Sequence, residues 1–307
     1  MSEHIHIGMP VFNGESHLKE ALESLLNQSH ENFEIFIMDN ASTDATQEII
    51  QKYAKLDSRI KSYRETHWLN ATANWNRTFE LASRGAEIFM WATDDDLWEK
   101  DYIESLLSPL IENPGVVLSF CEAKQIDDEG QIIGHLYRDI FPGGSSALRR
   151  LRSIIRSGKY SAIYGLIRTQ AVDWDPCLQD ASFGSDLWFL LRLAACGNFY
   201  MVKRPLFFKR IGGISQTGAD PSACYDPLKS WNIGDKEWNL IGELNLPWLT
   251  RLYTYYRLRF FGKTVFPQDK KIDWFLLPIF WGYMVWKNPR SLGIRSRLKK
   301  RLSSSCG

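Results

Sequence analysis

Two apolar runs, IHIGMPVF at residues 5–12 and FEIFIMD at 33–39, are each followed by a polar loop and then by apolar residues at helical spacing. After the first run come Leu18, Ala21, Leu22, Leu25 and Leu26, and after the second Ile49, Ile50 and Tyr53. This change of period from strand to helix repeats downstream, with a strand expected at residues 60–63, a helix at 73–82 and a strand at 87–92. Buried strands alternating with helices predict an α/β fold, a doubly wound, mostly parallel sheet with helices on both faces.

Further on, VVLSFCEAKQIDDEGQII at 116–133 reads as strand, Asp-Glu-Gly turn and strand, and SDLWFLLRLAACG at 185–197 as a helix ending at Gly197. The parallel half therefore leads into a mixed one. Beyond residue 215 the chain becomes aromatic and basic, which divides it into 1–215 and a C-terminal helical extension, 216–307. Within that extension, residues 272–286 are mostly apolar but fall short of the ~20 needed to span a bilayer. Residues 287–307 follow with seven cations and no acid. The extension thus suits an anionic membrane surface, or packing on the core.

Charge is otherwise balanced, 37 Lys and Arg against 36 Asp and Glu, so nothing points to nucleic acid as a partner. A 44% hydrophobic, 24% charged composition excludes disorder and coiled coil. The five cysteines lack C-x-x-C spacing, and the N-terminal residues do not resemble a signal peptide. A cytoplasmic location is expected, peripheral at the inner face of the membrane if the extension binds it. The six histidines show no ligand spacing and are read as surface or core residues.

In open α/β sheets ligands bind outside the carboxyl ends of strands. Three such loops concentrate the polar residues: Asn13-Gly14-Glu15, the segment 39–44, and Thr93-Asp94-Asp95-Asp96. Three adjacent carboxylates repel one another, a penalty that a shared cation removes. Mg²⁺ and Mn²⁺ favour one or two carboxylates plus phosphate oxygens, so the D-x-D pattern suggests a metal-bridged diphosphate; the plainer reading is an N-cap for the following helix. Asp39, ending a buried run, is placed to accept hydrogen bonds from a ligand's ribose or base. The strand exit from Gly8 through Pro10 and Phe12 to Asn13 offers a wall for a flat base. Asp44 with Gln47 reads as a capping box. Trp75, Trp91 and Trp188 fit core packing, whereas Trp98, just past the acidic loop, is expected on an acceptor side.

Together, P-V-F-N (10–13), S-L-L-N-Q (24–28), D-N-A-S-T-D (39–44), A-N-W-N (73–76) and D-D-D (94–96) resemble the family 2 glycosyltransferases of GT-A fold, well over residues 4–122 and more weakly over 160–215. The resemblance implies a nucleotide-diphosphate-sugar donor, an inverting transfer to a glycan or lipid-linked acceptor in cell-surface glycan synthesis, and Mn²⁺ or Mg²⁺. It places Asp39 near the base, Asp94 near the ribose and Asp96 on the metal, with Pro10, Phe12, Asn13, Asn74 and Asp95 around the donor. The family's catalytic base lies at the start of a downstream helix, commonly in a Glu-Asp pair. Here Gly184-Ser185-Asp186 matches by position with Ser for the first acid, so Asp186 is the candidate, with Asp180 and Asp175 as rivals and helix capping as the plain alternative. In FFKRIGGISQT, 207–217, the histidine often found in relatives is absent; Arg210 is expected to face the leaving diphosphate, with an edge-strand charge pair as the plain alternative for Lys209 and Arg210. The competing reading is a catalytically inactive sugar-binding or membrane-scaffolding protein that keeps the fold.

Overall fold

The computed structural model describes residues 3–137, 146–157, 160–172, 177–178 and 185–211. The expected boundary at 215/216, the C-terminal extension, Asp175 and Asp180 all lie outside the described residues, which belong to the first of two units, Met1–Lys263.

The first half is built as the periodicity dictates. Strand β1 (Ile5–Val11), helix α1 (Leu18–Leu26), β2 (Phe33–Asp39), α2 (Thr46–Leu56), β3 (Ile60–Arg64), α3 (Ala71–Ala82) and β4 (Ile88–Trp91) follow in order. β1 pairs in parallel with β2 and β4, and β2 with β3. Every residue of β1 and β4 is buried, which their almost wholly apolar sequence, His6 apart, requires of central strands. α1 turns Leu18, Ala21, Leu22 and Leu25 inward. α3 covers the face carrying Gly8, where a Cβ would stand 2.9 Å from the Phe89 ring and 3.2 Å from Thr78, so the absent side chain lets helix and sheet approach. Asn70 starts α3 by accepting the Ala73 N–H at 2.9 Å, a cap worth ~1 kcal/mol.

The second half is mixed. It comprises β5 (Leu97–Trp98), α4 (Tyr102–Glu112), β6 (Val116–Ile126), β7 (Ile132–Tyr137), α5 (Ala147–Ser157), a 3₁₀ turn (Tyr160–Tyr164), β8 (Leu166–Arg168), α6 (Ser185–Cys196) and β9 (Asn198–Arg210). The sheet order is β3-β2-β1-β4-β8-β6-β9-β5, with β7 on β6. The turn between β6 and β7 places Gly130 at φ +80°, as the Asp-Glu-Gly signal indicated. β8 runs antiparallel to β4 and β6, and β9 runs parallel to β6, which brings its end beside the acidic loop after β4. Among the described residues no helix is long and apolar enough to cross a membrane.

Candidate active site

β1, β2 and β4 end side by side, and their exit loops brace one another. Asn13, at φ 51°, donates its N–H to Ser42 Oγ (2.9 Å) and accepts the Thr43 N–H on Oδ1 (2.9 Å). The Gly14 N–H reaches Thr46 Oγ1 at 2.8 Å. Glu15 and Asp44 exchange bonds across the gap: Asp44 Oδ2 accepts the Glu15 N–H, and Glu15 Oε2 accepts the Ala45 N–H. Asp44 Oδ1 also accepts the Thr46 N–H at 3.0 Å, so Asp44 does serve the start of α2. The expected capping box is replaced, however, because Glu15 from the neighbouring loop supplies the second acceptor and Gln47 Oε1 is buried without a hydrogen bond. Asn13 is likewise a strut between loops through its backbone N–H and Oδ1, with no hydrogen bond from its side-chain Nδ2 among the described residues.

Asp39 is fully buried at the end of β2. Its Oδ1 accepts the Ser42 N–H at 2.9 Å, while Oδ2 faces Arg64 Nη1 at 3.1 Å without hydrogen-bond alignment. One carboxylate oxygen in the interior therefore lacks a donor, an arrangement a bound hydroxyl or base N–H would complete. Asn40 clips the next loop in place, its Nδ2 donating to the Leu69 carbonyl and its Oδ1 accepting the Leu69 N–H, both at 2.8 Å. That clip sets Trp68 against Phe12, ring centroids 6.4 Å apart. Pro10 is buried in β1, so the wall expected from residues 10–12 consists of Phe12 and the 42% exposed Trp68. Trp68 and Arg64 carried no motif and could be found only through the strand register that pairs Arg64 with Asp39.

Asp94 lies over Gly14, where a Cβ would sit 2.3 Å from Asp94 Oδ2; only glycine leaves room for the carboxylate. Burial, reinforced by the charge of Asp95, pushes Asp94 up to about 8. Asp96 is fully buried, with Oδ1 accepting the Arg210 N–H (2.8 Å) and Oδ2 the Lys209 ammonium (3.1 Å). Burial drives Asp96 upward too, with Lys209 opposing it. For Lys209, burial alone would lower the ammonium, but Tyr164 and the carboxylates of Asp96 and Asp95 outweigh it and hold it above its ordinary range.

Arg210 corrects an expectation. Its Nε donates to the Asp95 carbonyl, Nη1 to the Asp127 and Asp128 carbonyls, and Nη2 to Glu20 Oε2, all within 2.9 Å. The guanidinium thus clamps the acidic loop to the β6–β7 turn and to α1, and the cation beside the carboxylates is Lys209. Trp98 is corrected as well: it is 4% exposed and packs on Phe207 at 5.8 Å, so it belongs to the core. Trp91 and Trp188 are core residues, and Trp75 packs on Trp91 at 4.6 Å.

Asp186 occupies the first turn of α6, and its Oδ1 accepts the Leu187 N–H at 2.8 Å. Burial raises its carboxyl above the usual range. Ser185 Oγ lies 3.4 Å from Thr72 Oγ1, joining the start of α6 to the start of α3. In that same turn of α3, Asn74 is buried with Oδ1 lacking a hydrogen-bond partner, and Asn76 holds the Leu178 backbone with both amide atoms. Tyr164, unsignalled by the sequence, links the two groups of acids. Its ring lies 5.1 Å from Lys209 Nζ, and burial, Asp96, Asp95 and Asp186 together push its phenol up to about 12, with Lys209 opposing.

The loop carboxylates therefore meet at one end of the sheet, with Lys209, Tyr164 and Asp186 on the β9 and α6 side. Burial first, and then the neighbouring charge of Asp95, hold Asp94 protonated near neutral pH in this setting. Both Asp96 oxygens are engaged here, Oδ1 by the Arg210 N–H and Oδ2 by the Lys209 ammonium.

Comparison with known proteins identifies the family and the fold. The model of "Glycosyl transferase family 2" matches residues 6–166, just over half of the chain. The chain is 35% identical over 135 residues to a putative glycosyltransferase, EpsH, of Bacillus subtilis, covering 42% of this chain and 38% of that protein. It is 33% identical over 103 residues to the putative teichuronic acid biosynthesis glycosyltransferase TuaG of the same organism, covering 34% and 40%. Glycosyltransferase GlyA of Streptococcus pneumoniae is 26% identical over 141 residues, covering 46% and 20%. The chain thus spans between a fifth and two fifths of the length of these relatives. Among solved structures, residues 1–349 of S. aureus TarS in complex with UDP-GlcNAc superpose with a TM-score of 0.67 at 17% identity, covering 85% of this chain and 73% of that one, which establishes the shared fold.

Proposed function

The chain belongs to glycosyl transferase family 2, and from that premise we propose that it moves a sugar from a nucleotide-diphosphate sugar to an acceptor hydroxyl with inversion, in the assembly of a cell-surface glycan. The observation that carries this reading is the pair of buried acceptors that lack a hydrogen bond, Asp39 Oδ2 at the end of β2, facing only the Arg64 guanidinium, and Asn74 Oδ1 in the first turn of α3. Their partners are the base and sugar hydroxyls of the donor, with Phe12 and Trp68 beside the base. Of the relatives, TarS was solved with UDP-GlcNAc, which supports a donor of this class.

In the proposed reaction the acceptor oxygen attacks the anomeric carbon as the bond to the diphosphate breaks. Asp186 takes the acceptor proton, and its elevated pKa suits a general base working near neutrality. Lys209 neutralises charge that develops on the departing diphosphate. Asp96, with Asp94 or Asp95, would hold Mn²⁺ or Mg²⁺, which when bound supplies further neutralisation of that charge. Arg210 acts at one remove by fixing the loops, and Asn13 both braces them and offers its side-chain NH₂ to the donor. The acceptor is a glycan or lipid-linked sugar, and the C-terminal extension, 216–307, with its aromatic stretch 272–286 and basic residues 287–307, holds the protein on an anionic membrane surface.

A second reading is favoured by Lys209 itself, whose ammonium already occupies Asp96 Oδ2: the lysine does the metal's work and transfer proceeds without it. One experiment tests both. Release of nucleoside diphosphate is measured over a panel of nucleotide sugars, with Mn²⁺, with Mg²⁺ and with EDTA. Release that EDTA abolishes supports the metal-dependent form, and release that survives EDTA supports the lysine form. No nucleotide bound and none released from any donor would favour an inactive scaffold. Sedimentation with anionic and neutral vesicles tests the membrane assignment, which fails if the protein stays in the supernatant with anionic vesicles at low salt.

A further inference from the structure

At the opposite end of the sheet, where β1 and β2 begin, His4, His6 and Glu34 bring their ligand atoms within 4.8 Å of one another. Strand geometry explains the convergence. His4 and His6 are two residues apart and share a face, and the parallel register sets His6 directly beside Glu34. The two imidazole Nε2 atoms lie 3.7 and 3.8 Å from Glu34 Oε2, and the rings meet edge to face with centroids 4.9 Å apart.

The outer contacts fix the chemistry of these atoms. His6 Nδ1 is 2.7 Å from the Ala82 carbonyl, and His4 Nδ1 is 2.8 Å from Asn32 Oδ1. Both acceptors are oxygens, so in each neutral ring the proton sits on Nδ1 and the lone pair on Nε2 points toward Glu34. Imidazoles that ligate metals are oriented in this way, by donating the other ring nitrogen to a carbonyl or carboxylate. Lys61 Nζ holds Glu34 Oε1 at 3.1 Å, which leaves Oε2 as the atom turned to the rings.

We propose that His4 Nε2, His6 Nε2 and Glu34 Oε2 form a Zn²⁺ site, remote from the transferase site and independent of its assignment. Zinc accepts two imidazoles and a carboxylate with bonds of ~2.0–2.2 Å in tetrahedral geometry. Such bonds put neighbouring ligand atoms about 3.3 Å apart, so the two imidazole–carboxylate separations of 3.7 and 3.8 Å need to contract by about half an ångström, and the two Nε2 atoms, within 4.8 Å of each other, close in with them. His4 and Glu34 have side-chain exposures of 43% and 30%, leaving a solvent-facing fourth position for water, while Phe36 packs against His6 from within, centroids 4.8 Å apart. Bound zinc would staple the start of β1 to the start of β2.

The test is competition between full-length protein and a chromophoric chelator for Zn²⁺ at pH 7.5, comparing wild type with His4→Ala and Glu34→Gln. Both substitutions lie at partly exposed positions, and circular dichroism establishes that each variant is folded. One equivalent binding with a Kd of about 10 μM or tighter, weakened ~10-fold or more in each variant, is expected, together with a rise in Tm that the variants lose. Absence of binding at 100-fold higher Zn²⁺ overturns the proposal. So does wild-type affinity in both variants, which would place the ion on cysteines or elsewhere.

Discussion

Replacing Arg210 by methionine tests whether this buried cation is part of the framework or part of the donor site. The side chain is 1% exposed, and its guanidinium bonds three carbonyls and one carboxylate. A charged hydrogen bond contributes ~1.5–3 kcal/mol, and leaving a buried acceptor empty costs ~1–3 kcal/mol. The four contacts do not count equally. Glu20 is more than half exposed, so its ion pair is screened and contributes under ~1 kcal/mol. The Asp127 and Asp128 carbonyls sit in a surface turn that water can reach, whereas the Asp95 carbonyl lies against the buried Asp96. A loss of about 3 kcal/mol is therefore expected for Arg210→Met, at the lower end for breaking a buried charged network. Urea denaturation with an unchanged m-value measures it, and Glu20→Gln, expected to lose less than ~1 kcal/mol, serves as the control. If Arg210→Met unfolded within ~0.5 kcal/mol of wild type while nucleotide affinity collapsed, the clamp would be refuted and the guanidinium returned to the diphosphate; that margin is the scatter of ordinary surface substitutions.

Asp186→Asn keeps shape and hydrogen bonding but cannot act as a base at neutral pH; turnover should fall ~10²–10⁴-fold with nucleotide affinity unchanged, and steady-state kinetics beside nucleotide titration would expose an error if both moved together. Asp94 carries its proton to about pH 8 in the folded protein but loses it near 3.8 when unfolded. The native state thus binds more protons in that window, and stability of the metal-free protein should fall as pH rises from about 4 to 8 and level off above. Denaturation at pH 5.5 and 8.5 measures the slope; Asp94→Asn should flatten it, and an equal slope in the variant would contradict the assignment. Ala41, at φ 57°, occupies a left-handed conformation that disfavours a Cβ, so Ala41→Gly should raise stability by up to ~1 kcal/mol. A lower denaturation midpoint would show that the loop does not strain there.

Sequence alone determined the elements whose side chains repeat with a period. The runs at 5–12 and 33–39 and the stripe through Leu18, Leu22 and Leu25 became β1, β2 and α1, because burying one face or both is a local instruction written in apolar spacing. It also located the strand ends that carry the acids, since Asp39 and Asp94–Asp95–Asp96 stand where buried runs stop. Which side chains those acids meet was decided only by tertiary structure. Lys209 and Arg210 are adjacent in sequence, yet successive side chains of a strand point to opposite faces: one cation lands on Asp96 and the other in a cage of carbonyls. Nothing in the spacing says which. Trp98 was misjudged for the same reason, its position beside an acidic loop giving no hint that β9 would cover it. Tyr164, Trp68 and the trio of His4, His6 and Glu34 were invisible because their partners come from other strands and loops, and proximity across strands is set by register, a property of the folded sheet.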